Sequence, residues 1–173
     1  QTGTDRIAEV ASLLDADVYV NLQGDEPIME GSNLQKMCAA ATQLPQRVLC
    51  GWDWIKSEQD LYSRTVPKVV LDVNDRLLYA SRLPIPGRKE IGSRRDFGRR
   101  QVCVYSFPKA ALEIFAGYLG KTPIESEEDI ELLRFLELGI SVTMIHLPTS
   151  SRAVDTPEDL EWVRRRVVES RCQ

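Results

Sequence analysis

Histidine is almost missing from this chain: among 173 residues only His146 is present. A lone histidine inside the strand-like run SVTMIHLP excludes a histidine-rich metal centre. It reads as a core or surface residue with a local hydrogen bond rather than as a general base. The four cysteines, Cys38, Cys50, Cys103 and Cys172, are scattered. With no C-x-x-C pair and no neighbouring histidine they do not make a zinc site, and reduced, mostly buried thiols of a cytoplasmic protein are expected. Apolar runs long enough to span a bilayer, about 18 residues, are absent, and no signal-like leader begins the chain, so the residues argue for neither a membrane nor export. Excess positive charge is lacking as well. The formal net charge is −4 and the isoelectric point near 5.2, which leaves a nucleic acid little to be drawn to. The clustered arginines lie in GRKEIGSRRDFGRR at 87–100, read as a solvated loop rather than an anion site. No repeat, low-complexity stretch or linker divides the sequence, and one domain is expected. The chain does not begin with Met, and QTGTDRIAEV reads as if it entered a fold midway, so an N-terminal truncation is expected.

What is present alternates between two periodicities. Ile7, Val10, Ala11 and Leu14 recur at helical spacing before the apolar run DVYVNLQG at 17–24, which gives a helix feeding a strand. In EGSNLQKMCAAATQL, Ser32 with Gln35 suggests a capping box ahead of a helix whose apolar stripe is Leu34, Met37, Cys38 and Ala41. RVLCGWDWI reads as a second strand, and PKVVLDVNDRLLYASR as a hairpin turning at VNDR. QVCVYSF at 101–107 is another strand, followed by a helix with Pro108 in its first turn. ESEEDIELLRFLEL reads as one mostly buried helix ending at Gly139. The strand SVTMIHLP then leads to a helix capped by Thr156, with Pro157 at its first position and Asp159 at the capping-box site. Trp52, Trp54 and Trp162 are expected as core or interface aromatics. The alternation predicts an α/β sheet with a β-rich excursion between about 65 and 107.

In such sheets ligands gather beyond the carboxyl ends of the strands. NLQGDEPI at 21–28 sits at one of those ends. Gln23 supplies a donor and an acceptor, Gly24 a flexible backbone, and Asp25 a hard oxygen anion. SSRAVDTPED repeats the pattern, with Asp155 between a strand and a well-capped helix. Two carboxylates from different strand ends suit one Mg²⁺, which takes one or two protein carboxylates and fills its octahedron with water and phosphate. The plainer alternative is that Asp25 opens a turn before Pro27 and that Asp155 or Thr156 caps a helix.

TGTDRIAEV, VNLQGDEPI, PKVVLD, LYASRLPIP, VYSF and AVDTPEDLEWVR occur in this order. Together they resemble the CMP-Kdo synthetase family, the 3-deoxy-manno-octulosonate (Kdo) cytidylyltransferases. The resemblance implies a Rossmann-like nucleotidyltransferase sheet with flanking helices and a β-rich dimerisation arm, here N-terminally truncated. It also implies a homodimer that uses Mg²⁺, CTP and an acidic 2-keto sugar to make a CMP-sugar and pyrophosphate. By the motif match Asp25 and Asp155 are the catalytic, Mg²⁺-holding pair and Gln23 lies by the nucleotide. Thr2, Gly3 and Thr4, with Arg6, belong to a loop approaching the cytidine. Arg82, Tyr105, Gln101 and Glu131 fall on the sugar side. A surface ion pair for Arg82, a strand-face aromatic for Tyr105 and a solvated helix position for Glu131 are the competing readings.

The sequence departs from the family pattern in three places. The arginine- and lysine-bearing loop of the family's first strand, which binds the triphosphate, has no counterpart, so this chain alone is expected to be a poor enzyme or none. Gln101 stands where the family has a histidine, and Leu132 where it has a glutamine, so a related 2-keto-3-deoxy acid such as a nonulosonate is a candidate alongside Kdo. The alternatives are a non-catalytic remnant serving dimerisation or binding, and, with less to support it, transfer of another nucleotide.

Overall fold

The structure, a computed structural model, describes residues 2–87, 89, 98–149 and 151–171. Most of the basic run at 87–100, and Cys172, lie outside the described residues.

Strand β5 (Arg99–Pro108) organises the sheet. On one side it pairs antiparallel with β2 (Val48–Trp54), which pairs in parallel with β6 (Val142–His146). Its other side is shared. The second half of β5 pairs with β1 (Val18–Leu22), and its start pairs with β3 (Lys68–Leu71), which forms a hairpin with β4 (Leu77–Ser81). Strands β1, β2 and β6 therefore run together while β5 runs against them. The ends of β1, β2 and β6 and the beginning of β5 meet at one rim of the sheet.

Alternation along β5 decides which helices cover which face, because successive side chains of a strand point to opposite sides. Val102 and Val104 pack with Met37, Ala41, Leu49 and Leu147 beneath α2 (Gly31–Gln43). Tyr105 and Phe107 point the other way. There they join Phe115 of α4 (Lys109–Gly117) and Phe135 of α6 (Leu132–Glu137), with ring centroids of Phe107 and Phe135 5.6 Å apart and of Phe115 and Phe135 4.8 Å apart. Helix α1 (Gly3–Leu13) lies on this second face with Ala11 buried. The expected hairpin turn falls at 72–76, with Asp75 in the left-handed region at φ 58°. Its tip reaches β6, where the Met144 N–H donates to the Asp75 carbonyl at 2.7 Å.

Gly51 sits where the β2–β5 register shifts, and the two strands are close enough there that a Cβ would lie 2.8 Å from Leu147 Cδ1 and 3.0 Å from the Val102 carbonyl oxygen. Gly51→Ala is expected to cost about 1–3 kcal/mol through overpacking. A fall in denaturant midpoint without a change in slope would show it.

Three expected local features come out differently. The single helix expected over ESEEDIELLRFLEL is two, α5 (Pro123–Glu128) and α6. Between them Asp129 turns left-handed at φ 52°, and the Glu128 and Asp129 carbonyls, released from helical bonding, accept from Arg82 Nε at 2.6 Å and Nη2 at 2.8 Å. Helix α2 begins at Gly31, with Glu30 at the cap position, so Ser32 and Gln35 form no capping box. Its buried stripe includes Asn33, whose Nδ2 donates to the Pro148 carbonyl at 2.8 Å, while Cys38 is exposed. Pro108 is the last residue of β5 and precedes α4 rather than lying in its first turn. Helix α7 (Pro157–Arg171) starts as expected: the Asp159 N–H donates to Thr156 Oγ1 at 3.2 Å, and the Thr156 N–H returns a bond to Asp159 at 2.9 Å.

Candidate functional site

A cavity of about 200 Å³ opens at the rim where the parallel strands end, and Gln23, Asp25, Arg82, Gln101, Tyr105, Glu131 and Asp155 all line it. The chain brings the two aspartates there by separate routes. Asp25 follows β1 in a turn closed by the Glu26 N–H donating to the Gln23 carbonyl at 3.2 Å. Asp155 precedes α7. The segments are tied by the Val154 N–H, which donates to the Asp25 carbonyl at 2.9 Å. Asp25 Oδ1 is buried without a hydrogen-bond partner. Burial raises its pKa above the ordinary aspartate value, and the charges of Asp155 and Glu131 push it the same way. Asp155 is raised as well, first by burial and then by Asp159, with Arg82 opposing.

Gln101 Nε2 donates to the Tyr105 hydroxyl at 2.7 Å, and this leaves Gln101 Oε1 buried without a partner, an acceptor available to a ligand. Burial raises the Tyr105 hydroxyl well above its ordinary pKa, so it stays protonated. Arg82 is largely committed to the fold. Besides Glu128 and Asp129 it serves the Arg64 carbonyl through Nη1 at 2.8 Å, which occupies three of its five N–H groups. Two N–H groups of its fork remain for a ligand.

Glu131 has a role that spacing did not reveal. It stands in the break before α6, and its carboxylate accepts from the Gly3 N–H at 3.0 Å, the Thr4 N–H at 2.8 Å and the Thr4 hydroxyl. These are unsatisfied donors of the first turn of α1, where a carboxylate is favoured by both hydrogen bonding and the helix dipole. The loop expected at Thr2, Gly3 and Thr4 is thus the start of a helix, with Thr2 as its cap in a box with Asp5. Gly3 backs against Gln23, since a Cβ there would lie 2.8 Å from Gln23 Nε2. Thr2 and Arg6 open instead onto a separate cavity of about 500 Å³ beside the end of α4, and Arg6 bonds Glu9 at 2.9 Å. Leu132, expected to face the sugar, is packed in the core and does not line the cavity. His146 is also outside it, stacked on Trp52 with centroids 4.4 Å apart.

Several lining residues were not singled out by sequence reasoning. Arg100 donates to the Ser151 carbonyl at 2.9 Å, Arg152 pairs with Asp159 at 2.5 Å, and Glu26 is buried against the Ser151 hydroxyl. Glu26 and Arg152 lie within three residues of an identified one; Arg100 closes the basic run at 87–100 expected as a solvated loop, but it and Arg99 are instead in β5. Among the described residues no three His, Cys, Asp or Glu side chains gather as a metal site, and no helix is long and apolar enough to cross a membrane.

Residues 1–143 match the family model for cytidylyltransferases. The chain belongs to the cytidylyltransferase family. Its relatives include a 3-deoxy-manno-octulosonate cytidylyltransferase of Chlorobium limicola, 37% identical over 167 residues, which cover 94% of this chain and 66% of the relative. Another from Geobacter metallireducens is 38% identical over 173 residues, covering 94% and 68%. The chain spans about two thirds of the length of the curated relatives it matches. Among solved structures it superposes on CMP:2-keto-3-deoxy-manno-octonic acid synthetase complexed with CTP with a TM-score of 0.86 and 29% identity, over 98% of this chain and 69% of that one. A 4-diphosphocytidyl-2C-methyl-D-erythritol synthase from Anaerococcus prevotii, 14% identical at a TM-score of 0.59, shares the fold. The nucleotidyltransferase sheet with flanking helices expected from the motifs is therefore the fold of this chain.

Proposed function

We propose that this cytidylyltransferase activates an acidic 2-keto-3-deoxy sugar, Kdo or a relative, by transferring the cytidylyl group of CTP, with Mg²⁺ held by Asp25 and Asp155. One observation carries the reading: two carboxylates from separate strand ends open onto one cavity, one of them with a buried oxygen that has no partner. Two hard oxygen donors fit Mg²⁺, which completes its sphere with water and phosphate. When bound there, the ion would offset negative charge on the phosphates.

The protein's own groups supply the rest. In the reaction the sugar hydroxyl oxygen bonds to the α-phosphorus, the bond from that phosphorus to the β-phosphate oxygen breaks, and pyrophosphate leaves. The hydroxyl proton would pass to a carboxylate oxygen at the cavity that the ion leaves free. The remaining N–H groups of Arg82 offer cationic donors to the sugar carboxylate, and Arg100 and Arg152 offer donors to ring hydroxyls. Gln101 Oε1 accepts from a sugar hydroxyl.

A coupled pyrophosphate-release assay with CTP, Mg²⁺ and a panel of 2-keto-3-deoxy sugar acids tests this, run on the chain and on a longer protein containing it. Release that needs both CTP and a sugar acid is expected from the longer protein, at about 1–10³ per second for an ordinary enzyme, and little or none from the chain alone. Failure of the longer protein with every acid would favour a second reading, a binding module without turnover. The involvement of Arg82 and Glu131 in holding the backbone gives that reading some support. The reading further places the protein in the cytoplasm as a homodimer. Val20 and Leu22 of β1 and Leu13 and Leu14 beside it are exposed apolar groups suited to an interface. Sedimentation as a monomer at micromolar concentration would contradict the dimer.

A further inference from the structure

A second cavity, of about 340 Å³, adjoins the first: Val66, Arg100 and Arg152 line both. Its lining includes two indoles, Trp54 on β2 and Trp162 on α7, together with Gln59 and Asp60 of the short helix α3 (Glu58–Tyr62). Trp54 is 44% exposed, unusual for so large an apolar ring, and Trp162 is half-buried. Each has an arginine against it, Arg99 at 5.0 Å and Arg166 at 5.7 Å, but neither arginine lines the cavity, so indole surface remains for a ligand. The walls are cross-tied, with Lys56 Nζ donating to the Thr149 carbonyl at 2.8 Å and Arg100 to the Ser151 carbonyl.

The charges here nearly balance. Arg152 is paired with Asp159, Lys56 lies 3.5 Å from Asp53, and Asp60 faces the same space. A bare anion gains little in such a place. Flat apolar rings beside planar amide and carboxylate groups suit a molecule with apolar C–H faces and many hydroxyls, hence a carbohydrate.

We propose that this second cavity is a carbohydrate subsite, which receives the polyhydroxylated tail of the sugar acid whose carboxyl end occupies the first cavity. The inference rests on the proposed function and adds a specificity element to it: Trp54 and Trp162 select acids with a longer or more substituted polyol chain. Neither residue belongs to the catalytic pair, and Arg100 and Arg152 stand at the junction between ring and tail.

The test titrates the chain with Kdo and with N-acetylneuraminate, which has a longer polyol chain and an acetamido group, while following the indole N–H resonances of Trp54 and Trp162. Both resonances are expected to shift with N-acetylneuraminate. Trp162→Ala should weaken that acid about tenfold and leave Kdo within about twofold, and Trp162→Tyr should recover most of the loss. Kdo binding with both indole signals unmoved by either acid would overturn the subsite and leave the proposed function standing. Binding of neither acid would overturn both.

Discussion

Replacing Arg134 by Ala is expected to lower the unfolding free energy by about 3–5 kcal/mol, the usual consequence of stranding a buried charge. Arg134 and Glu125 are almost wholly inaccessible, with side chains 2% and 1% exposed, and they face each other as a fork with bonds of 2.6 and 2.7 Å. Without the guanidinium the Glu125 carboxylate would keep only the Thr122 groups and stay buried. The same guanidinium bonds Asp5 at 3.1 Å and lies 3.8 Å over the Phe115 ring, so it joins α5, α6, α4 and the capped start of α1. For a chain of this size the loss corresponds to a Tm drop of roughly 10 °C. Substituting Arg134 and Glu125 together by Met and Leu should recover much of it, because no fully buried unpaired charge is then left and Asp5, which also loses its partner, is partly exposed. A single variant as stable as the parent would show that the pair adds nothing. The change also reaches the cavity. The first turn of α1 is held by Asp5 from one side and Glu131 from the other, and Gly3 backs Gln23.

Asp25→Asn is expected to act in the opposite sense on stability and far more strongly on turnover. Loss of one carboxylate of the pair should reduce the proposed transfer by at least about 10²–10³-fold, the scale on which single charge-stabilising groups act, and Asp155→Asn should do the same. Folding should not suffer. Both aspartates titrate above the ordinary value of 3.8 because burial and like charges disfavour their ionised forms. The folded chain therefore binds these protons more tightly than the unfolded chain. Between the raised pKa values and 3.8 their contribution to stability falls as pH rises, and at neutral pH both count against the fold. Asp5, Asp72, Glu128, Asp129 and Glu137 are shifted down and contribute with the reverse slope. The comparison of the parent with Asp25→Asn isolates the effect: melting curves should show the variant more stable at neutral pH, with the difference shrinking in acid. A variant less stable than the parent at neutral pH would contradict the burial argument.

Much of this architecture is legible where a residue's environment depends on near neighbours in sequence. The helical spacing of Ile7, Val10 and Ala11, the turn at 72–76 and the Thr156–Asp159 box are local patterns, and each forms where expected. The split between α5 and α6 is not local. It depends on Arg82, more than forty residues earlier, taking the carbonyls that a continuous helix would have used. Asn33 is buried because of Pro148, and Glu131 is turned toward α1 rather than toward solvent, again through partners distant in sequence. At the site the two aspartates stand out as acids after strand ends, whereas the Val154–Asp25 bond that joins their segments has no signature in either motif.

The central claim is that Asp25 and Asp155 share one divalent ion. Electron paramagnetic resonance of Mn²⁺, a spectroscopic substitute for Mg²⁺ with the same preference for oxygen ligands, measures it directly when titrated into the chain in the presence of CTP. One bound ion in the parent, with affinity weakening as pH falls through the raised aspartate pKa values and lost in both Asp25→Asn and Asp155→Asn, is the predicted result. Unchanged Mn²⁺ binding in either variant would contradict the account.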